Sequence, residues 1–208
     1  RQSPQIGSRP FLFALGASYL HKSRIFSVKV LHSLVEKGWD GQLVLAGPTP
    51  PNGNSLGEEA EFLLKHPELS ARLITLGSIS DAQKRWLFEN ASAFLYPSVV
   101  EGFGFMPFEA AHYGLADVCS RGGSLDEVLP KSLPTIPDFD VTAAVDLAWK
   151  ILHDSQLSES MVETVKDGGK RFTWDATTTR LMGLFNDVTK RRPSITLAVI
   201  GERANALE

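Results

Sequence analysis

Short apolar runs alternate with longer amphipathic ones along most of this 208-residue chain, and that alternation constrains the fold more than any single motif. Phe11–Leu15, Gln42–Ala46, 72–76, Ala93–Tyr96 and 117–120 read as buried strands, with Thr135 and Ile136 as a weaker sixth. Between the first two, Ile25, Val28, Leu31, Leu34 and Val35 recur at helical spacing. Ser55, Ser80, Ser124 and Ser160 precede Glu58, Gln83, Glu127 and Glu163 by three residues, the capping-box pattern, which predicts four more helix starts. Beyond Val141 the pattern is helical, closing with a helix near 173–190. Strands that alternate with helices require right-handed crossovers, and these bury a parallel sheet on both faces. The fold class is therefore α/β, a doubly wound, Rossmann-like parallel sheet. Ligands of such sheets lie beyond the carboxyl ends of the strands, which directs attention to 16–24, 47–55, 77–80, 97–104 and 121–124.

Composition excludes more than it assigns. A formal net charge of -3 gives no reason to expect nucleic acid or an anionic membrane as a partner. The chain's single cysteine, Cys119, has no partner for an internal disulfide and fits a reducing, cytoplasmic setting, at most peripheral to a membrane in a longer protein. No apolar run reaches the ~18 residues that suggest a membrane span. Residues 1–10 are polar, with two prolines, and read as a linker; 11–192 read as the folded domain. The absence of an initial Met suggests a fragment, and 193–208 read as a tail that begins a further unit or carries a cloning scar.

Two carboxylates, Glu101 and Glu109, flank Gly-Phe-Gly-Phe-Met-Pro-Phe after the fourth strand. Gly102 and Gly104 favour an open turn, and Pro107 is tolerated only in a helix's first turn, so the helix begins near Phe105 or Met106. Glu101 then belongs to the loop and Glu109 to the first helical turn, tipped back toward that loop. Taken as ordinary residues, Glu109 complements the helix dipole and Glu101 accepts loop hydrogen bonds. Taken as ligands, Glu109 accepts a ribose diol and Glu101 the hydroxyls of an attached sugar, with Lys22, after the first strand, meeting a diphosphate. Gly102-Phe-Gly104 lacks the third glycine of a dinucleotide fingerprint and follows a late strand. Asp138 and Asp140 resemble a metal-binding pair but fit better as caps of the helix at Val141. His21, His32, His66, His112 and His153 show no ligand spacing, so no metal site is expected.

The stretch from Tyr96-Pro-Ser through Glu101, Phe108-Glu109-Ala110 and Gly114 resembles the Glu-x7-Glu signature of retaining glycosyltransferases of family 4. Leu43-Val-Leu-Ala-Gly47, Leu76-Gly-Ser-Ile79 and Gly123-Ser-Leu-Asp-Glu127 follow the family's order, and the likeness covers about 11–190. It resembles the C-terminal, donor-binding half of a GT-B glycosyltransferase, without the N-terminal, acceptor-binding half. The resemblance implies a hexosyltransferase-type enzyme that uses a nucleoside-diphosphate sugar without metal or cofactor, in glycan or cell-surface polysaccharide synthesis. This fragment alone would then be inactive, and its partners would be the donor, the missing domain and an unidentified acceptor. By motif, Glu101 would contact the sugar as the catalytic residue and Glu109 the ribose. Gly16, Lys22, Ile79 and the backbone N–H groups of Phe103, Gly104 and Phe105 would bind the rest of the donor. Two positions depart from the family. Ala17 replaces a frequent phosphate-binding arginine, a role then expected of Arg24, and Leu115-Ala116-Asp117 replaces the usual x-Pro after Gly114. The competing reading is a catalytically inert binding or assembly module on the same fold.

Overall fold

The computed structural model describes residues 6–191. The chain divides into two compact units, Arg1–Gly169 and Lys170–Glu208. In the first, five parallel strands, β1 (Phe11–Leu15), β2 (Gln42–Ala46), β3 (Leu73–Gly77), β4 (Ala93–Tyr96) and β5 (Asp117–Cys119), form one sheet. Their spatial order is β3-β2-β1-β4-β5. The chain first builds outward from β1 through β2 to β3, then crosses back to lay β4 on the other side of β1. That reversal makes the gap between the β1 and β4 loops the switch point of the sheet. The β1–β2 ladder joins five residue pairs, whereas the β1–β4 ladder joins two, Leu12 with Ala93 and Phe13 with Phe94.

The strands are apolar because both faces are covered. β2 and β4 are buried along their whole length, and Phe13, Phe88 and Phe94 pack ring to ring with centroids 5.1–5.6 Å apart. Fully burying each such side chain is worth about 1.5–3 kcal/mol. Helix α1 (Arg24–Glu36) packs against α2 (Leu56–Lys65) and α6 (Val141–His153); α4 (Met106–His112) packs on α7 (Ser155–Gly169). Helices α3 (Asp81–Asn90) and α5 (Ser124–Val128) complete the connections around the sheet.

Most expected elements are present, with shifts that have local causes. β3 begins one residue later than read, and β5 stops at Cys119. Ser120 instead forms an isolated parallel bridge with Ile136, whose N–H donates to the Cys119 carbonyl at 2.8 Å, so the weak sixth strand is a single pairing on the edge of β5. The Ser80 capping box forms as read: Ser80 Oγ accepts from Gln83 N and the Gln83 side chain accepts from Ser80 N. Ser55 is an N-cap whose hydroxyl turns instead to Glu59, 2.5 Å away. Ser124 is the first residue of α5, after Gly123 as its cap. Ser160 starts nothing. α7 has already begun at Ser155, where Asp154 accepts from Leu157 N at 3.0 Å, so the Ser-x-x-Glu pattern lies mid-helix. Asp140 caps α6 through Thr142 and Ala143 N–H groups at 2.8 and 3.3 Å, which accounts for its position without a ligand. Ile6, within the stretch read as a linker, is buried at 2% exposure.

In the second unit, α8 (Trp174–Lys190) is capped by the Thr173 side chain, which accepts from Ala176 N at 3.1 Å. The apolar ending 195–200 lies outside the described residues.

Candidate functional site

Loops from β1, β4 and β5 meet at the carboxyl end of the sheet and are tied by a short set of hydrogen bonds. The Val99 N–H donates to the His21 carbonyl at 2.8 Å, joining the β4 loop to the β1 loop. Ser120 Oγ donates to the Ser98 carbonyl at 2.5 Å, and Ser124 Oγ to the Glu101 and Phe103 carbonyls at 2.8 and 3.0 Å. The β5 side thus sets the path of the loop that carries Glu101. Gly104 turns this loop with φ +91°, a conformation that favours glycine, and a Cβ there would stand 2.2 Å from Leu125 Cδ2 and oblige that side chain to shift. Gly47 is similarly confined, because its Cβ would collide with the Gly16 carbonyl at 2.0 Å.

Across the switch point Lys22 Nζ donates to Glu101 Oε1 at 2.5 Å. Lys22 ends a 3-10 turn, Leu20–Lys22, and its ammonium also lies 5.6 Å from the centre of the Tyr96 ring. Burial alone would raise the Glu101 pKa, but hydrogen bonds from Lys22, Ser98 and Tyr96 outweigh it and hold the carboxyl below the ordinary range. A depressed carboxylate favours the folded state above its unfolded pKa and loses that effect as pH falls through the lower folded value. The Tyr96 phenol is pushed strongly upward, first by burial and then by Glu101.

Behind this pair, Gly16, Lys22, Arg24, Ser27, Tyr96 and Pro97 line a narrow recess. Arg24 opens α1 yet is only 4% exposed. Its Nε lies 3.4 Å from Glu59 Oε1, and none of its three guanidinium nitrogens has a hydrogen-bond partner. Burial lowers the Arg24 pKa, opposed by Glu59. A buried cation with unmet donors costs free energy that an anionic ligand in the recess would offset.

The second carboxylate has a different neighbour. Glu109, in the first turn of α4, takes Lys84 Nζ from α3 at 2.5 Å, and this contact raises the Lys84 pKa. Nothing in the sequence pattern pointed to Lys84, which lies in the first turn of α3. Ile79 is half-buried between β3 and α3, at the same end of the sheet. Phe103 and Phe105 stack at 4.3 Å, with Phe105 65% exposed just before α4. Asp117, the departure from the family pattern, is fully inside β5 opposite Phe94, at the far end of that strand from Glu101. The structure therefore brings Gly16, Lys22 and Arg24 to one recess, pairs Glu101 with Lys22 and Glu109 separately with Lys84, and leaves Ile79 and residues 103–105 on neighbouring loops.

Residues 1–168 match the family described as Glycosyl transferases group 1. The O-antigen chain mannosyltransferase B of Escherichia coli is 31% identical over 110 residues, 53% of this chain and 29% of that protein. The chain spans 29–39% of the length of the curated relatives it matches. Anabaena HepE, solved in complex with UDP and glucose, aligns with a TM-score of 0.71 at 14% identity, over 86% of this chain and 48% of that one. The C-terminal domain of a group 1 glycosyl transferase family protein from Francisella tularensis aligns with a TM-score of 0.67 at 19% identity, over 81% of this chain and 88% of that one. Strand order and switch-point loops thus define a Rossmann-like domain of the kind that forms the C-terminal half of GT-B glycosyltransferases. The chain belongs to the Glycosyl transferases group 1 family.

Proposed function

We propose that this chain is the donor-binding unit of a retaining glycosyltransferase of family 4 that uses a nucleoside-diphosphate sugar. One observation carries the reading: at the switch point, the paired Lys22 and Glu101 adjoin the buried, incompletely satisfied Arg24. Two cations suit a diphosphate, and a carboxylate between the β1 and β4 loops suits sugar hydroxyls. UDP in the Anabaena neighbour is consistent with that ligand class.

In this reading Lys22 and Arg24 neutralise the diphosphate as the bond between the sugar's anomeric carbon and the phosphate oxygen breaks. Positive charge accumulates on the sugar, and Glu101 holds its hydroxyls on the reacting face. The departing phosphate oxygen takes the acceptor's proton as the acceptor oxygen bonds to the same face, which retains configuration. Glu109 accepts the ribose diol, and Lys84, 2.5 Å away, holds that carboxylate in position until the nucleotide arrives. Ile79 contacts the base, and the N–H groups of residues 103–105 approach the distal phosphate. Charge-assisted hydrogen bonds of these kinds contribute ~1.5–3 kcal/mol each. No metal is required, because the two cationic side chains supply the countercharge.

Calorimetry with UDP, GDP, ADP and their sugars tests the proposal. Binding of at least one, weakened by Arg24→Ala, supports it. Failure to bind any of them would sink it in favour of an inert module.

A further inference from the structure

We propose that His32, His66 and Glu68 form a zinc-class divalent metal site at the end of the sheet remote from the Lys22–Glu101 pair. The three belong to different elements: His32 to α1, His66 to the C-cap of α2, and Glu68 to the 3-10 turn Pro67–Ala71 that leads into β3. One ligand atom from each lies within 4.8 Å of the other two. Glu68 Oε1 is 3.7 Å from His32 Nε2 and 3.5 Å from His66 Nδ1. These separations exceed a good N–H···O hydrogen bond. They approach the ~3.3–3.4 Å edge of a tetrahedron built from ligands ~2.0–2.1 Å from a zinc ion.

The surroundings favour nitrogen ligation. The His32 and His66 rings lie 4.0 Å apart, and Phe62 packs against both, at 5.7 and 4.4 Å. That apolar wall limits the rings' freedom to turn away. Glu36 Oε2 lies 3.5 Å from His32 Nδ1, on the other edge of the ring from Glu68. A carboxylate at Nδ1 orients a ligating histidine and raises the basicity of Nε2. The side chains of His32, His66 and Glu68 are 17%, 29% and 54% exposed, leaving a route for the ion and a fourth position for water. Two imidazoles and one carboxylate suit zinc better than calcium or magnesium, which select all-oxygen sets.

The placement assigns a structural role. α1 and α2 each run from the carboxyl end of one strand to the amino end of the next, so this cluster fastens both helix ends beside edge strand β3. It is independent of the proposed donor chemistry.

The test is zinc titration of the tag-free chain by calorimetry, with thermal unfolding alongside. One equivalent should bind in the micromolar range and raise the melting temperature by several degrees. His66→Gln and Glu68→Gln should each weaken binding at least ~10-fold, and Glu36→Gln by a smaller factor, while His153→Gln leaves it unchanged. Circular dichroism checks that each variant is folded. Affinity for the nucleoside diphosphate that the parent chain binds should be the same with and without zinc. No zinc binding by the parent chain overturns the proposal, as does equal binding by a folded His32→Gln/His66→Gln variant or loss in His153→Gln.

Discussion

The two ends of the parallel sheet each bury an ionisable group without full compensation, but in different settings. At the carboxyl end Arg24, whose three guanidinium nitrogens lack hydrogen-bond partners, lines a recess with Lys22. At the amino end Asp117 leaves Oδ2 without a hydrogen bond inside β5, where burial pushes its pKa up to about 6 despite a contact with Cys119. Arg24 begins a helix beside a loop crossing, where a ligand could complete its bonding. Asp117 lies in a packed strand, registered against Phe94, where only the fold feels its cost. The contrast teaches that an unmet buried charge points to function when an opening faces it, and to stability alone when a strand encloses it.

The strongest attempt to break this contrast is Lys22→Ala, expected to weaken binding of the nucleoside diphosphate that the parent chain takes up roughly 100-fold, about 3 kcal/mol, by calorimetry. Unchanged affinity would remove the carboxyl end's functional claim. Asp117→Asn should act only on stability. The raised carboxyl means that the folded state binds a proton more readily than the unfolded one, so ionisation destabilises the parent as pH rises from about 4 through about 6. The variant should therefore gain about 3 kcal/mol at pH 7.5, read from denaturant midpoints, and little at pH 4. A smaller effect is expected of Arg24→Met with Glu59→Gln, which removes both members of the buried pair and avoids stranding one charge. Affinity for the same nucleoside diphosphate should fall ~10-fold while stability changes by less than ~1 kcal/mol. Smallest is Glu109→Ala, with a roughly fivefold loss for the nucleoside diphosphate, none for pyrophosphate, and under ~1 kcal/mol of stability from the lost Lys84 pair.

The fold was legible because both faces of the sheet are covered, which writes each strand as an apolar run. Pro107 and the two glycines likewise marked the start of α4. Local pattern failed where a neighbour outside the window decided the outcome, as at Ser160, overtaken by the cap at Asp154. At the site, Lys22 and Glu101 were legible through chain position, since each follows a strand that borders the switch point. Lys84 was not, because its partner Glu109 comes from another helix. His32, His66 and Glu68 were hidden for the same reason: no spacing rule connects groups that meet only when two helices and a turn converge.

The narrow β1–β4 ladder has a mechanical consequence. With two residue pairs holding β3-β2-β1 to β4-β5, this seam is the place where the sheet is least firmly sewn. Lys22 stands on one bank and Glu101 on the other, so a ligand engaging both acts as a clasp across it. Amide hydrogens of Ala93–Tyr96 should exchange more slowly when the clasp is closed, which makes the breathing of the sheet a gauge of occupancy.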